Sequence, residues 1–267
     1  MDARGKVASL HKNPDSLLVI HYSCEGLDDS NSGLSPRITS IAVLHAGSKT
    51  LHSFSIHLVA EILRHDKDII DARKYDELEK LMLEDFFVFA SEHPHCSWLH
   101  WKMSNIVYGF EALEHRYRVH HPDKPPYKIN DSKKFDLSAL LLEIYGKDCV
   151  DHPQMPALME LNGGKPRDML SGKEESDAFR AKEYVKMHKS TISKVYWFYS
   201  LFNLLCKRKV KTARSNFPSK IHAFSDSWPF KLVGIVAVIF TLFQIGETGQ
   251  KYISQPTGAT TTSPVGK

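Results

Sequence analysis

The sequence predicts an α/β domain, a mixed sheet covered by helices, followed by one apolar helix long enough to cross a membrane. Three observations predict it. Short apolar or alternating segments follow one another between residues 17 and 58, as consecutive strands do; beyond residue 75 the apolar spacing switches between helix and strand periods; and residues 228–246 form an apolar run with a single charge. Of 267 residues, 42% are hydrophobic and 25% charged, the balance of an ordinary globular protein with a full core. A net charge of +4 is too mild to imply nucleic acid by itself. Cys24, Cys96, Cys149 and Cys206 stand far apart with no CxxC pair, which favours free thiols.

Met1 to Pro14 is polar and lacks the apolar stretch of a signal peptide, so residues 1–14 read as a flexible lead-in to a domain over 15–205. Leu17 to Tyr22 (LLVIHY) is an apolar run with β-branched members, suited to a buried strand. A polar loop from Glu25 to Pro36 leads to a second strand over Arg37 to His45. Ala46-Gly47-Ser48 reads as a hairpin turn, and Thr50 to Leu58 alternates as a third, antiparallel strand would. Leu78, Leu81, Met82, Phe86 and Phe89 recur at helical spacing within a helix over Tyr75 to Ser91. His95 to His100 fits a fourth strand. Helices are expected over Ile106 to Val119, Phe135 to Tyr145 and, as one long stretch, Asp177 to Leu205.

The run WPFKLVGIVAVIFTLFQIG, Trp228 to Gly246, is about the length of helix that a bilayer core of roughly 30 Å requires. Lys231 lies one turn in, where its side chain can snorkel, and Trp228 suits the interface. Before the run stand Lys207, Arg208, Lys209, Lys211, Arg214 and Lys220; after it come Glu247, Lys251 and Lys267 in a polar tail, 247–267. The excess of basic charge on the near side places the N-terminal domain in the cytoplasm and the tail across a single-pass anchor. The basic linker, 206–227, is open to three readings: contact with anionic headgroups through Lys207, Arg208, Lys209, Lys211 and Arg214, a solvated spacer that only sets orientation, or nucleic-acid contact.

Three segments bear a family pattern. VIHYSCEGL (Val19 to Leu27) resembles the first motif of the DEDD-type 3′–5′ exonucleases, a strand ending in Asp-x-Glu, and SPRITSIAVLHAGSKTLHSFSIHL resembles the next two strands. WLHWKMSNIVYGFEAL (Trp98 to Leu113) resembles the second motif, and EYVKMHKSTISKV (Glu183 to Val195) the third, a helix carrying His and, five residues on, Asp. The resemblance covers residues 15 to 205 and implies a ribonuclease H-like mixed sheet flanked by helices.

In that family four carboxylates hold two divalent ions about 4 Å apart, one generating hydroxide and the other stabilising the leaving oxygen. Here Ser23, Asn105 and Ser193 stand where three of the four acids would be, and Glu25 keeps the fourth. His188 matches the histidine that would orient water. One carboxylate of four does not supply the charge that two hard cations require, so Mg²⁺ or Mn²⁺ is expected only if neighbouring acids rebuild the site. Asp28, Asp29, Asp136, Glu174, Glu175 and Asp177 lie close enough to be considered. Each also has a plain role: a solvated turn for Asp28 and Asp29, a helix cap for Asp136, and a helix first turn for the last three.

Other chemistry is less well framed. His93, His95 and His100 near Cys96, with His115, His120, His121 and His152, form no zinc-type spacing. Cys24 or Cys96 as a nucleophile lacks a local signature, and Gly163-Gly164-Lys165 lacks the rest of a phosphate loop. The resemblance implies a cleft near Ser23, Glu25, His100, Trp101, Asn105, His188 and Ser193, with Trp101 either stacking on a base or packing in the core. The expectation is an anchored exonuclease-like domain without two-metal catalysis that binds nucleic acid or a protein partner. The alternatives are an active metal-dependent exonuclease using Glu25 and His188, and a protein-interaction scaffold.

Overall fold

The computed structural model describes residues 1–26, 36–65, 70–104 and 108–213. These residues belong to one compact unit, residues 1–213. Asn105, Asp28, Asp29, Arg214 and the apolar run 228–246 lie outside the described residues. Among the described residues no helix is long and apolar enough to cross a membrane.

A five-stranded mixed sheet forms the centre. Its strands are β1 (Leu17–Cys24), β2 (Ile38–His45), β3 (Leu51–Ser55), β4 (Ser97–His100) and β5 (Lys134–Asp136), in spatial order β3-β2-β1-β4-β5. The β1–β2 and β2–β3 pairs are antiparallel, and β1–β4 and β4–β5 are parallel. β1 is therefore central and covered on both faces, which is why it reads as a continuous apolar run rather than an alternating one. Alternation still sorts its side chains. Leu18, Ile20 and Tyr22 face a core shared with α3 (Ala72–Glu92) and α4 (Phe110–His120); Leu17 and Val19 face a second core. That second core is built with α1 (Ala3–Lys12), α5 (Leu137–Tyr145), α6 (Gln154–Leu161) and α8 (Tyr184–Cys206). Two further helices, α2 (Ile56–Ile62) and α7 (Gly172–Arg180), lie next to β3 and α8.

The mixed sheet flanked by helices is as expected, but several elements differ. Residues 3–12 are a helix where a flexible lead-in was expected. Asp2 caps it by accepting from the Gly5 N–H, and Ala3, Val7 and Leu10 form a narrow buried stripe. That stripe is too sparse to signal a helix alone, and docking against α5 and α8 completes it. The third strand stops at Ser55, whose hydroxyl caps α2, so Ile56 to Leu58 turn helical. Phe135 belongs to the short strand β5, and the following helix begins after Asp136, which caps it through the N–H groups of Ser138 and Ala139. The single helix expected over Asp177 to Leu205 is two helices. α7 starts at the Ser171–Glu174 capping box, and Lys182 (φ 56°) breaks the chain before α8.

The basic linker also begins differently. Val210 and Thr212 are buried, and the backbone of Lys211 is held by Asn162 through bonds of 2.8 and 2.9 Å. Residues 207–213 are thus fastened to the domain, with Lys207, Arg208, Lys209 and Lys211 exposed.

Candidate functional site

Continuing the alternation of β1, His21 and Ser23 point to the α8 side of the sheet. The Ser23 hydroxyl lies 2.7 Å from the Thr191 hydroxyl on α8, which lies 2.6 Å from that of Ser40 on β2. Ser23 also donates to Glu175 of α7 at 3.0 Å. The same Glu175 oxygen accepts from Ser190 at 2.9 Å and from the Lys194 ammonium at 2.6 Å. Lys194 is buried and Glu175 nearly so, so three elements converge on one desolvated ion pair. The pair forms one wall of a cavity of about 500 Å³ at the end of β1, also lined by Cys24, Glu25, Tyr108 and Lys173.

Tyr108 is fixed rather than free. Its ring stacks on Tyr22 at 4.5 Å, its hydroxyl donates to the Tyr22 carbonyl, and the Tyr22 hydroxyl accepts from the Gly109 N–H. His21 lies 3.3 Å from the Tyr108 hydroxyl, edge-on to Phe198; burial, with Lys194 nearby, holds it well below the usual imidazole range and therefore neutral. Burial and the Glu175 carboxylate push the Cys24 thiol up to about 12, so it is no thiolate nucleophile at neutral pH. Glu25 is paired with Arg37 at 3.1 Å. A second cavity of about 410 Å³ shares Glu25 and Arg180 with the first and is walled by Arg37, Tyr75, Phe179 and Tyr184.

The structure brings together only part of the expected cleft. Ser23 and Glu25 line it. Ser193 is half-exposed and does not; one helical step on, Lys194 takes the inward position, with Thr191 below it. His188 lies elsewhere on α8, buried beside His57 with ring centroids 5.0 Å apart; burial and His57 hold it at about 4. His100 is buried at the end of β4, accepts from the Met103 N–H at 3.2 Å and packs edge-on to Phe110. Trp101 is a core residue: its ring stacks on Phe198 at 5.7 Å and meets Trp197, which leaves no face for a base.

Of these nearby acids, Glu175 alone among the described residues turns into the cavity. Glu174 closes the capping box and is exposed, Asp177 pairs with Arg180, and Asp136 is a cap. Sequence reasoning placed Glu175 in a helix first turn and missed Lys194. The available signal was periodicity, because Met187, Thr191, Lys194 and Phe198 share one buried stripe of α8, and a lysine on such a stripe needs a partner.

Away from the cleft, Asp76, Glu79 and His120 are the group among the described residues whose ligand atoms approach closely enough to hold a metal. Glu79, however, accepts from the Arg116 guanidinium, from His120 at 2.9 Å and from the Ile38 N–H at 2.6 Å. Arg116, itself buried, already supplies the positive charge that a cation would bring.

Fold and site define a mixed α/β protein with a partly polar cleft at the end of its central strand. No protein-family model and no curated protein matches the chain.

Proposed function

We propose that this protein is a membrane-anchored, exonuclease-like binding module whose cleft holds the end of a nucleic-acid strand without two-metal hydrolysis. The observation that carries the reading is the pairing of both cleft carboxylates with fixed cations, Glu175 with Lys194 and Glu25 with Arg37. A carboxylate already neutralised within 3.1 Å offers little charge to a divalent ion, and a buried ammonium repels one. Lys194 and Arg180 are already paired with Glu175 and Asp177, and the exposed Lys173 adds positive charge at the cavity rim, which supports an anionic ligand. The motif framing of β1 and α8 and the three antiparallel strands leading into parallel β4 and β5 support the exonuclease-like reading. The apolar run 228–246 supports the anchor.

The test uses the full chain with labelled single- and double-stranded DNA and RNA, in Mg²⁺ or Mn²⁺ and across a salt series. Binding that weakens linearly in the logarithm of salt, is reduced by Lys173→Glu, and occurs without shortening of the strand is expected. Shortening that vanishes in Glu25→Ala would make the protein an active nuclease. Neither binding nor shortening would leave the fold as a scaffold for protein contacts.

A further inference from the structure

A third concave surface lies where α1 meets the end of α8. Val7, Ala8, Ile144, Leu205 and Cys206 floor a slot of about 190 Å³, and Arg4, His11, Lys12 and Arg208 edge it. No acid lines it. Two carboxylates beside α1 are held by its N-terminal backbone: Asp2 accepts from the Gly5 N–H and Glu143 from the Ala3 N–H. Lys207, Lys209 and Lys211 are exposed on the adjoining segment, which Val210 and the two Asn162 bonds hold against the domain.

Size and charge together select the occupant. Pockets that enclose a small molecule span roughly 300–1,000 Å³, so this slot is too small to take up a whole lipid. An apolar centre edged by exposed ammonium and guanidinium groups is instead the pattern of a surface that rests on an anionic bilayer, apolar groups at the headgroup boundary and cations among the phosphates. We propose that this α1–α8 face docks on anionic phospholipid membrane. The assignment rests on residues 4–211 and not on the apolar run 228–246, so it stands or falls separately from the anchor and from the cleft.

The experiment uses residues 1–213, a compact unit with both cores closed within it, in vesicle co-sedimentation. Phosphatidylcholine vesicles are compared with vesicles rich in phosphatidylglycerol. Binding to the anionic vesicles alone, weakening with salt, is expected. Each basic residue at such a surface is worth about five-fold, so Arg4→Glu with Arg208→Glu should lower the affinity by at least roughly 25-fold. Lys12→Glu, at an exposed helix position, should lower it about five-fold and serves if the double variant melts differently from the wild type. Undiminished binding by these variants overturns the proposal, as does failure to bind either vesicle. Oligonucleotide binding that depends on Arg4 and Arg208 while vesicles are ignored would assign the face to nucleic acid and overturn it equally.

Discussion

Lys194 and Glu175 are 19 residues apart, yet the 2.6 Å contact between them decides what the cleft can do. Removing either partner strands the other in a desolvated wall, a loss on the order of 3–5 kcal/mol for buried pairs. The buried histidines carry a different consequence. His188 and His100 are each held at about 4, chiefly by burial, against an ordinary imidazole value of about 6.5. Their folded forms are neutral where the unfolded chain is protonated, so the stability they contribute is complete above pH ~6.5 and is lost as pH falls toward 4. The loss is on the order of 3 kcal/mol for each by pH 4. Urea unfolding at pH 7 and pH 5 should therefore show a smaller difference in His188→Gln than in the wild type. An unchanged difference would mean that His188 takes up its proton without unfolding.

Helix ends explain where the chain turns. α7 and α8 both finish in the same hydrogen-bonded motif. Lys182 and Glu183 donate back to Phe179 and Ala178, and Arg208 and Lys209 donate back to Leu205 and Leu204. The motif requires a left-handed residue after the cap, usually glycine, but here the positions are Lys182 and Arg208, both at φ 56°. Arg208→Gly relieves that strain while widening the freedom of the unfolded chain, so a net gain of up to about 1 kcal/mol is expected in urea titrations. The same variant should lose vesicle affinity, since Arg208 edges the α1–α8 slot. Stability and membrane contact moving in opposite directions would explain an arginine at a position that suits glycine.

For the whole molecule, the proposed docking face and the proposed anchor would give two levels of membrane contact, one reversible and one not. The full chain should stay with membranes through a high-salt and carbonate wash. A lysine at a helix centre costs about 2.5–3.5 kcal/mol of insertion, so Val236→Lys with Ile239→Lys should release the protein to the soluble fraction. Retention of that variant after both washes would remove the anchor from the account.

Much of the fold was legible in the chain. LLVIHY is a nearly continuous apolar run because both of its faces are covered, and α3 shows its period plainly through Leu78, Met82, Phe86 and Phe89. Capping chemistry marked Asp136 correctly as a helix start. β5 escaped because three half-buried residues, Lys-Phe-Asp, pair with one neighbouring strand and carry no pattern of their own. α1 escaped because Ala3, Val7 and Leu10 stabilise a helix only once α5 and α8 are present to cover them.

The sequence by itself determined the first four strands, the helix α3, the basic segment and the apolar run, all of which follow from local periodicity and charge. Only the tertiary structure decided that Trp101 is core, that Ser193 yields the inward position to Lys194, and that Glu175 and Arg37 meet the lysine and glutamate of the cleft. Those outcomes depend on which faces meet across distant segments, and no local pattern encodes such a meeting.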